Sequence, residues 1–249
     1  MTLVEFGDTA RSGPVPYLVP HAGAGVSAVR ALARALCERS SPVAVRLPGR
    51  ETLLDTPPHT ELPVLVQELA ALIREHAAGR PIVLFGHSSG AITAFETARS
   101  LPADKLAALV VSAQQSPGRL PVPSSPVWTL PGEEFFARVA ADGYLPDELA
   151  GEPEFRELVE PALRADYRVI DDYARCGAAP DPIPVPITAV RAADDPVVAA
   201  DDVAAWAGLT TRGFGLRTLP GGHNLLRDAP GELAAVIREA ALGTDRTAG

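Results

Sequence analysis

Cysteine is scarce in this chain: Cys37 and Cys176 are the two in 249 residues, far apart and outside every motif below. That usage excludes a disulfide-dense secreted scaffold and matches reduced thiols in a cytoplasmic protein. No apolar run approaches the roughly 18 residues of a membrane span. The amino terminus, Met1 to Asp8, has neither the basic stretch nor the apolar run of a secretory signal. Positive charge is in deficit, with 22 Lys and Arg against 31 Asp and Glu and a formal net charge of −9. Phosphate binding wants a basic face, so nucleic acid is not expected as a partner, and without a long apolar run neither is a membrane. The five histidines show no metal-ligand spacing, and neither a metal nor a resident cofactor is expected. Internal repeats and low-complexity tracts are missing as well.

What is present is the composition of a globular enzyme, 47% apolar and 21% charged. A chain this long buries most of its apolar surface around one core, so one domain spanning 1–249 with an insertion is expected. Strand and helix signals alternate, which predicts an α/β fold with a mostly parallel sheet. Strands are expected at Tyr17 to Val19, Val43 to Val45, Ile82 to Phe85, Leu109 to Val111, Ile187 to Val190 and Phe214 to Leu219. A helix should run from Ser27, as N-cap, to about Arg39, and another under the stripe Leu62, Leu65, Val66, Leu69, Leu72 and Ile73. Shorter helices are expected at Ser89 to Leu101 and near Asp202 to Ala207. The last should begin with Asp228 as N-cap and Pro230 in its first turn, ahead of a loose tail at 244–249.

From about 114 to 186 the rhythm breaks. Prolines cluster at 117, 121, 123 and 126, and Glu133 to Cys176 reads as short helices with no strand between them. Trp128, Phe135, Phe136, Tyr144, Phe155, Tyr167 and Tyr173 fall there. A helical insertion rich in aromatics suits a lid over an apolar acyl site.

The most informative stretch is Ile82 to Gly90, Ile-Val-Leu-Phe-Gly-His-Ser-Ser-Gly. A short apolar strand leads into Gly86, Ser88 and Gly90, the G-x-S-x-G spacing of a nucleophile elbow. A serine hydroxyl reacts only where a base reaches it, so it must project from a sharp strand-to-helix turn. Strand and helix then come so close that side chains at 86 and 90 would collide. The N–H of Ser89 opens the following helix and is placed to stabilise an oxyanion.

A serine elbow needs an acid and then a histidine later in the chain, the order found in α/β-hydrolases. His223, in Gly221-Gly222-His223-Asn224, is the one histidine beyond both elbow and insertion. The acid should follow the strand at 187–190, where Asp194 and Asp195 stand together. Asp195 is preferred because Asp-Pro suggests a turn into the next helix, and Asp194 stays open as the alternative. The second oxyanion donor should lie in Pro20 to Gly25, with the N–H of Ala22 as candidate. His21 and His87 read as packing or turn residues, and His59 and His76 carry no motif. Gly23 to Ala28 also fits the dinucleotide pattern G-x-G-x-x-A, but no carboxylate directly follows the second strand, and the later Ser, Asp and His go unexplained.

Together these motifs resemble the stand-alone type II thioesterases of polyketide and nonribosomal peptide assembly lines. The resemblance rests on Pro20-His21-Ala22-Gly23, Leu47-Pro48-Gly49-Arg50-Glu51, Gly86-His87-Ser88-Ser89-Gly90, Leu163-Arg164-Ala165-Asp166-Tyr167, Asp195-Pro196 and Gly221-Gly222-His223. It implies an α/β-hydrolase fold with helices on both faces of the sheet and a helical lid. It further implies a Ser88-Asp195-His223 triad that hydrolyses acyl thioesters carried on the phosphopantetheine of an acyl or peptidyl carrier protein. The chain departs from the family at Ser89, often methionine, at Ala192, usually glycine, and at Ala24, which replaces a second consecutive glycine. Two other readings use the same residues: an esterase or acyltransferase acting on small esters or acyl-coenzyme A, and a non-catalytic module that holds acyl carriers.

Overall fold

A computed structural model describes residues 1–7, 13–142, 152–177 and 180–243. Its strands are β1 (Thr2–Glu5), β2 (Val15–Val19), β3 (Val43–Arg46), β4 (Ile82–His87), β5 (Leu106–Ser112), β6 (Ile187–Ala192) and β7 (Phe214–Leu219). They form one sheet in the order β1-β3-β2-β4-β5-β6-β7. Only β1 runs antiparallel, against β3; every other neighbouring pair is parallel. The described helices are α1 (Val26–Leu36), α2 (Leu62–Ala77), α3 (Ser89–Arg99), α4 (Gly132–Ala141), α5 (Pro153–Arg175), α6 (Ala200–Ala204), α7 (Leu225–Asp228) and α8 (Pro230–Leu242).

Helices cover the sheet on both faces, which is why its central strands read as unbroken apolar runs. Ile82 and Leu84 of β4 face a cluster with α2, α3 and Trp206, while Val83 and Phe85 face α1, α7 and α8. From β2 the chain steps outward to β3 and then returns to β4 on the other side of β2. At such a switch point the loops leaving the two strands diverge and open a crevice at their carboxyl ends. Among the described residues no helix is long and apolar enough to cross a membrane. Cys37 and Cys176 form no disulfide.

Several local expectations need correction. β1 is a short, half-exposed edge strand, a pattern too weak to separate from a loose terminus. Helix α1 starts at Val26 with Gly25 at its N-cap, and Ser27 lies inside it. Its first-turn N–H groups are met from outside, by the carboxylate of Glu51, so no local capping side chain is needed. Asp228 closes α7 instead of capping α8, whose N-cap is Ala229. The carboxylate of Asp228 is used elsewhere, accepting the Gly222 N–H at 3.0 Å. Between β5 and β6, α5 is one helix of 23 residues with Pro161 inside it, where short helices were expected. The tail at 244–249 and Tyr144 lie outside the described residues.

Candidate active site

β4 ends at His87 and α3 begins at Ser89, so Ser88 alone makes the turn, at φ 51° and ψ −127°. A non-glycine residue held there costs on the order of 1–3 kcal/mol and must be over-determined by its surroundings. The Ser88 N–H donates to the Ser112 carbonyl at 2.8 Å, and the Ser88 carbonyl accepts the Ala91 N–H at 2.7 Å. A Cβ on Gly86 would overlap the Gly90 carbonyl oxygen, and one on Gly90 would overlap that of Pro20. The second clash matters beyond the elbow. It shows that the loop after β2 packs directly against the first turn of α3.

His223 and Asp195 arrive from the loops after β7 and β6. His223 Nε2 lies 3.3 Å from Ser88 Oγ, and its Nδ1 lies 3.0 and 2.9 Å from the two Asp195 oxygens. A carboxylate only accepts, so Nδ1 carries the proton and Nε2 presents a lone pair to the serine. Asp195 Oδ1 also accepts the N–H groups of Val197 and Val198, at 2.8 and 3.1 Å, which fixes its orientation. Both side chains are almost completely buried. Asp194 is exposed, and its N–H pairs with the Gly221 carbonyl at 3.0 Å, holding the two loops side by side.

Ser88, Ser89, Ala22 and His223 border one cavity of about 210 Å³. Ser89 is the first residue of α3, so its N–H has no intrahelical acceptor. The Ala22 carbonyl accepts the His21 Nδ1–H at 3.0 Å, which orients that part of the loop. Burial pushes His21 down to about 4 and His87 well below the usual histidine range, so both rings are neutral at pH 7. They stack edgewise at 5.9 Å, and His87 lies 5.8 Å from the His223 ring. His87 Nδ1 pairs with Ser112 Oγ at 3.1 Å. His59 and His76 are engaged elsewhere, with Glu68 and with Glu5 and Tyr17.

The cavity wall combines aliphatic residues, among them Leu120, Pro121, Val127, Ile170 and Val198, with the charged Arg138, Asp142, Asp166 and Asp171. Of the aromatics in the insertion, Tyr167 is the one described residue on the cavity. Phe135 and Phe136 are buried with Val127, Val139 and Leu163 in a cluster of their own. Tyr173 donates to Glu96 on α3 at 2.6 Å. The sequence reading also missed Gln114, whose Oε1 lies 3.4 Å from Ser88 Oγ. No motif marks it, and only its place just past the end of β5 could have pointed to it.

The dinucleotide-like turn is already occupied by the protein's own anions. Glu51 Oε1 accepts the Ser27 N–H at 2.9 Å, and Asp166 Oδ2 accepts the Gly23 N–H at 2.7 Å. Burial alone would raise the Glu51 carboxyl, but the Ser27 N–H and the Arg46 guanidinium outweigh it and hold it below its usual range. Two carboxylates on the N–H groups of this turn repel a pyrophosphate.

The family model for the thioesterase domain matches residues 17–240. The chain belongs to the thioesterase family. It is 30% identical to Thioesterase TesA of Mycobacterium marinum, over 92% of each chain. It is 32% identical to a protein named linear gramicidin dehydrogenase LgrE, of Brevibacillus parabrevis, over 78% of this chain and 74% of that one. Among solved structures, the type II thioesterase BorB from the borrelidin biosynthetic cluster superposes with a TM-score of 0.85 at 31% identity. That match covers 96% of this chain and 97% of BorB. The fold is that of the α/β-hydrolase thioesterases, and the chain is a hydrolase.

Proposed function

We propose that this chain is a serine thioesterase that hydrolyses acyl groups from the phosphopantetheine arm of carrier proteins in polyketide or nonribosomal peptide assembly. The observation that carries the chemistry is the unbroken line from Asp195 through His223 to Ser88. The substrate class is supported by the kinship with BorB and TesA. The segment between β5 and β6, which walls the cavity, serves as the lid.

His223 Nε2 removes the Ser88 proton as Oγ bonds to the thioester carbon, and the carbonyl oxygen becomes an oxyanion. The N–H groups of Ser89 and Ala22 hold that charge, and Asp195 stabilises the imidazolium. Collapse breaks the C–S bond, and the pantetheine thiolate leaves with the proton from His223. Water then adds to the acyl-serine under the same base, releasing the carboxylic acid and restoring the Ser88 hydroxyl. A thiolate leaves readily, so positioning and oxyanion stabilisation carry most of the rate.

Ser88→Ala should abolish acyl-enzyme formation and labelling by a fluorophosphonate. Turnover of an acyl-carrier substrate at the parent rate in that variant refutes the assignment. Comparing matched acyl-carrier, acyl-coenzyme A and oxygen-ester substrates tests the substrate class, with the highest kcat/KM expected for the carrier.

A further inference from the structure

The motifs around Arg50 and Asp166 contain side chains that the acyl-transfer steps leave unused. They meet in one buried ion pair, with Arg50 5% and Asp166 7% exposed. Arg50 Nη1 lies 2.8 Å from Asp166 Oδ2 and Nη2 lies 3.1 Å from Oδ1, a two-pronged contact. Both partners also hold backbone of the loop after β2. Asp166 Oδ2 accepts the Gly23 N–H at 2.7 Å, and Arg50 Nη1 donates to the Ala24 carbonyl at 3.2 Å. Arg50 is itself braced by the Pro48 carbonyl, 3.2 Å from its Nε.

We propose that Arg50 and Asp166 are positioning residues that clamp Gly23 and Ala24 so that the adjoining Ala22 N–H stays aimed at the oxyanion. The proposal rests on the reading of Ala22 as an oxyanion donor. The loop from Ala22 to Gly25 consists of alanine and glycine, which have almost no side chain to fix the backbone. A displacement of about 1 Å in such a group costs roughly 100-fold in rate. Stability alone is a poor reason for this pair, because apolar residues of similar volume generally serve as well in a buried site.

The charges matter as well as the geometry. Asp166 borders the reaction cavity, where a bare carboxylate opposes a developing oxyanion. The guanidinium fork neutralises it, and Oδ2, which accepts from Arg50 Nη1, uses its second lone pair for the Gly23 N–H. Asp166 also sits on α5, next to Tyr167 and one turn from Ile170, both on the cavity wall. One helix therefore shapes the acyl wall and tethers the oxyanion loop.

The test compares Asp166→Asn, Arg50→Gln and the double variant, with rates taken per Ser88 titrated to completion by a fluorophosphonate so that unfolded protein does not count. Asp166→Asn should lower kcat about 10-fold at unchanged KM, since the amide oxygen still accepts from Gly23 but the fork is weakened. Arg50→Gln should lower kcat about 100-fold, because it leaves the carboxylate uncompensated beside the oxyanion. The double variant should regain about 10-fold over Arg50→Gln by removing that stray charge. Single variants with kcat within twofold of the parent, losses confined to KM or to the melting temperature, or a double variant no faster than Arg50→Gln would each overturn the proposal. If Arg50→Gln yields no folded protein, Arg50→Lys keeps the charge and loses the fork, and a fall in kcat at constant KM is again the expected result. Any hydrolysable acyl thioester reports these ratios, so they stand or fall separately from the carrier-protein reading.

Discussion

The carboxyl edge of the sheet and the segment between β5 and β6 face each other across one cavity, yet they are held together by different forces. At the edge, backbone pairing does the positioning. Ser88, Asp195 and His223 stand one, three and four residues past the ends of β4, β6 and β7, neighbouring parallel strands joined through β5. Among its described residues the segment contributes no strand to the sheet. Five of its apolar side chains, Val127, Phe135, Phe136, Val139 and Leu163, form a cluster separate from the two that sandwich the sheet, while Val169, Ile183 and Val185 join the sheet core. Arg164 lies over the Phe135 ring at 4.2 Å and Arg156 over Phe136 at 5.0 Å, while Asp171 accepts the Val127 N–H at 2.6 Å. Ser88, Asp195 and His223 are set by the ladder, whereas the facing wall of the cavity is built from side chains that can repack.

The sharpest way to break this comparison is at the acid. If the ladder sets the triad, only the carboxylate that faces His223 matters, and its neighbour on the same turn does not. Asp195→Asn should lower kcat by about 10³–10⁴, because an amide can hold the imidazole in the wrong tautomer. Asp194→Asn, on an exposed side chain, should leave kcat within about twofold. Equal losses in the two variants would show that the turn is held by its side chains rather than by the strands.

The next largest effect is on stability. Phe135 is fully buried in the segment's cluster and Leu84 is fully buried in the sheet core. Either truncation to alanine costs about 2–5 kcal/mol. Leu84→Ala should shift the main unfolding transition. Phe135→Ala should instead raise KM and speed proteolysis within the segment, with little change in the main transition or in Ser88 labelling. A main transition moved equally by both would mean that segment and sheet unfold as one unit.

The same division explains what could be read from the sequence. β4 begins where expected because a parallel strand buried on both faces leaves an apolar run; β6 begins where expected, and β7 is found at its expected bounds, Phe214 to Leu219, although it is a part-exposed edge strand. The elbow was legible because a steric demand, no Cβ at 86 or 90, leaves a mark in residue type. Contacts made by side chains far apart in the chain leave no such mark. Nothing near Ser27 announces that Glu51 will serve the start of α1, and nothing near Gly23 announces Asp166. The aromatics of the insertion were visible as a composition, but whether they face the cavity or one another depends on packing that periodicity does not encode.

Acid provides the smallest and most discriminating perturbation, because edge and segment should respond to it with opposite sign. Burial holds His21 at about 4 in the folded protein, against about 6.5 in an unfolded chain. Below about pH 6.5 the unfolded chain therefore binds the proton first. The stabilisation is complete above that pH and is lost as pH falls towards 4, about 3 kcal/mol in all and about 2 of it by pH 5. His87, depressed by burial well below its usual value, adds in the same direction. In the segment, burial raises Asp171, so its contribution is present in acid and is lost as pH rises through its folded pKa. The lowered carboxyls of Glu51 and Asp228 lose their share only below the carboxylate range, outside the window from pH 7 to 5. Urea midpoints should fall between pH 7 and pH 5 for the parent protein, fall less for His21→Gln, and fall at least as far for Asp171→Asn, which loses the segment's opposing contribution. A His21→Gln slope equal to the parent's would remove this histidine from the account and leave the acid response to His87 and His59, which burial also lowers.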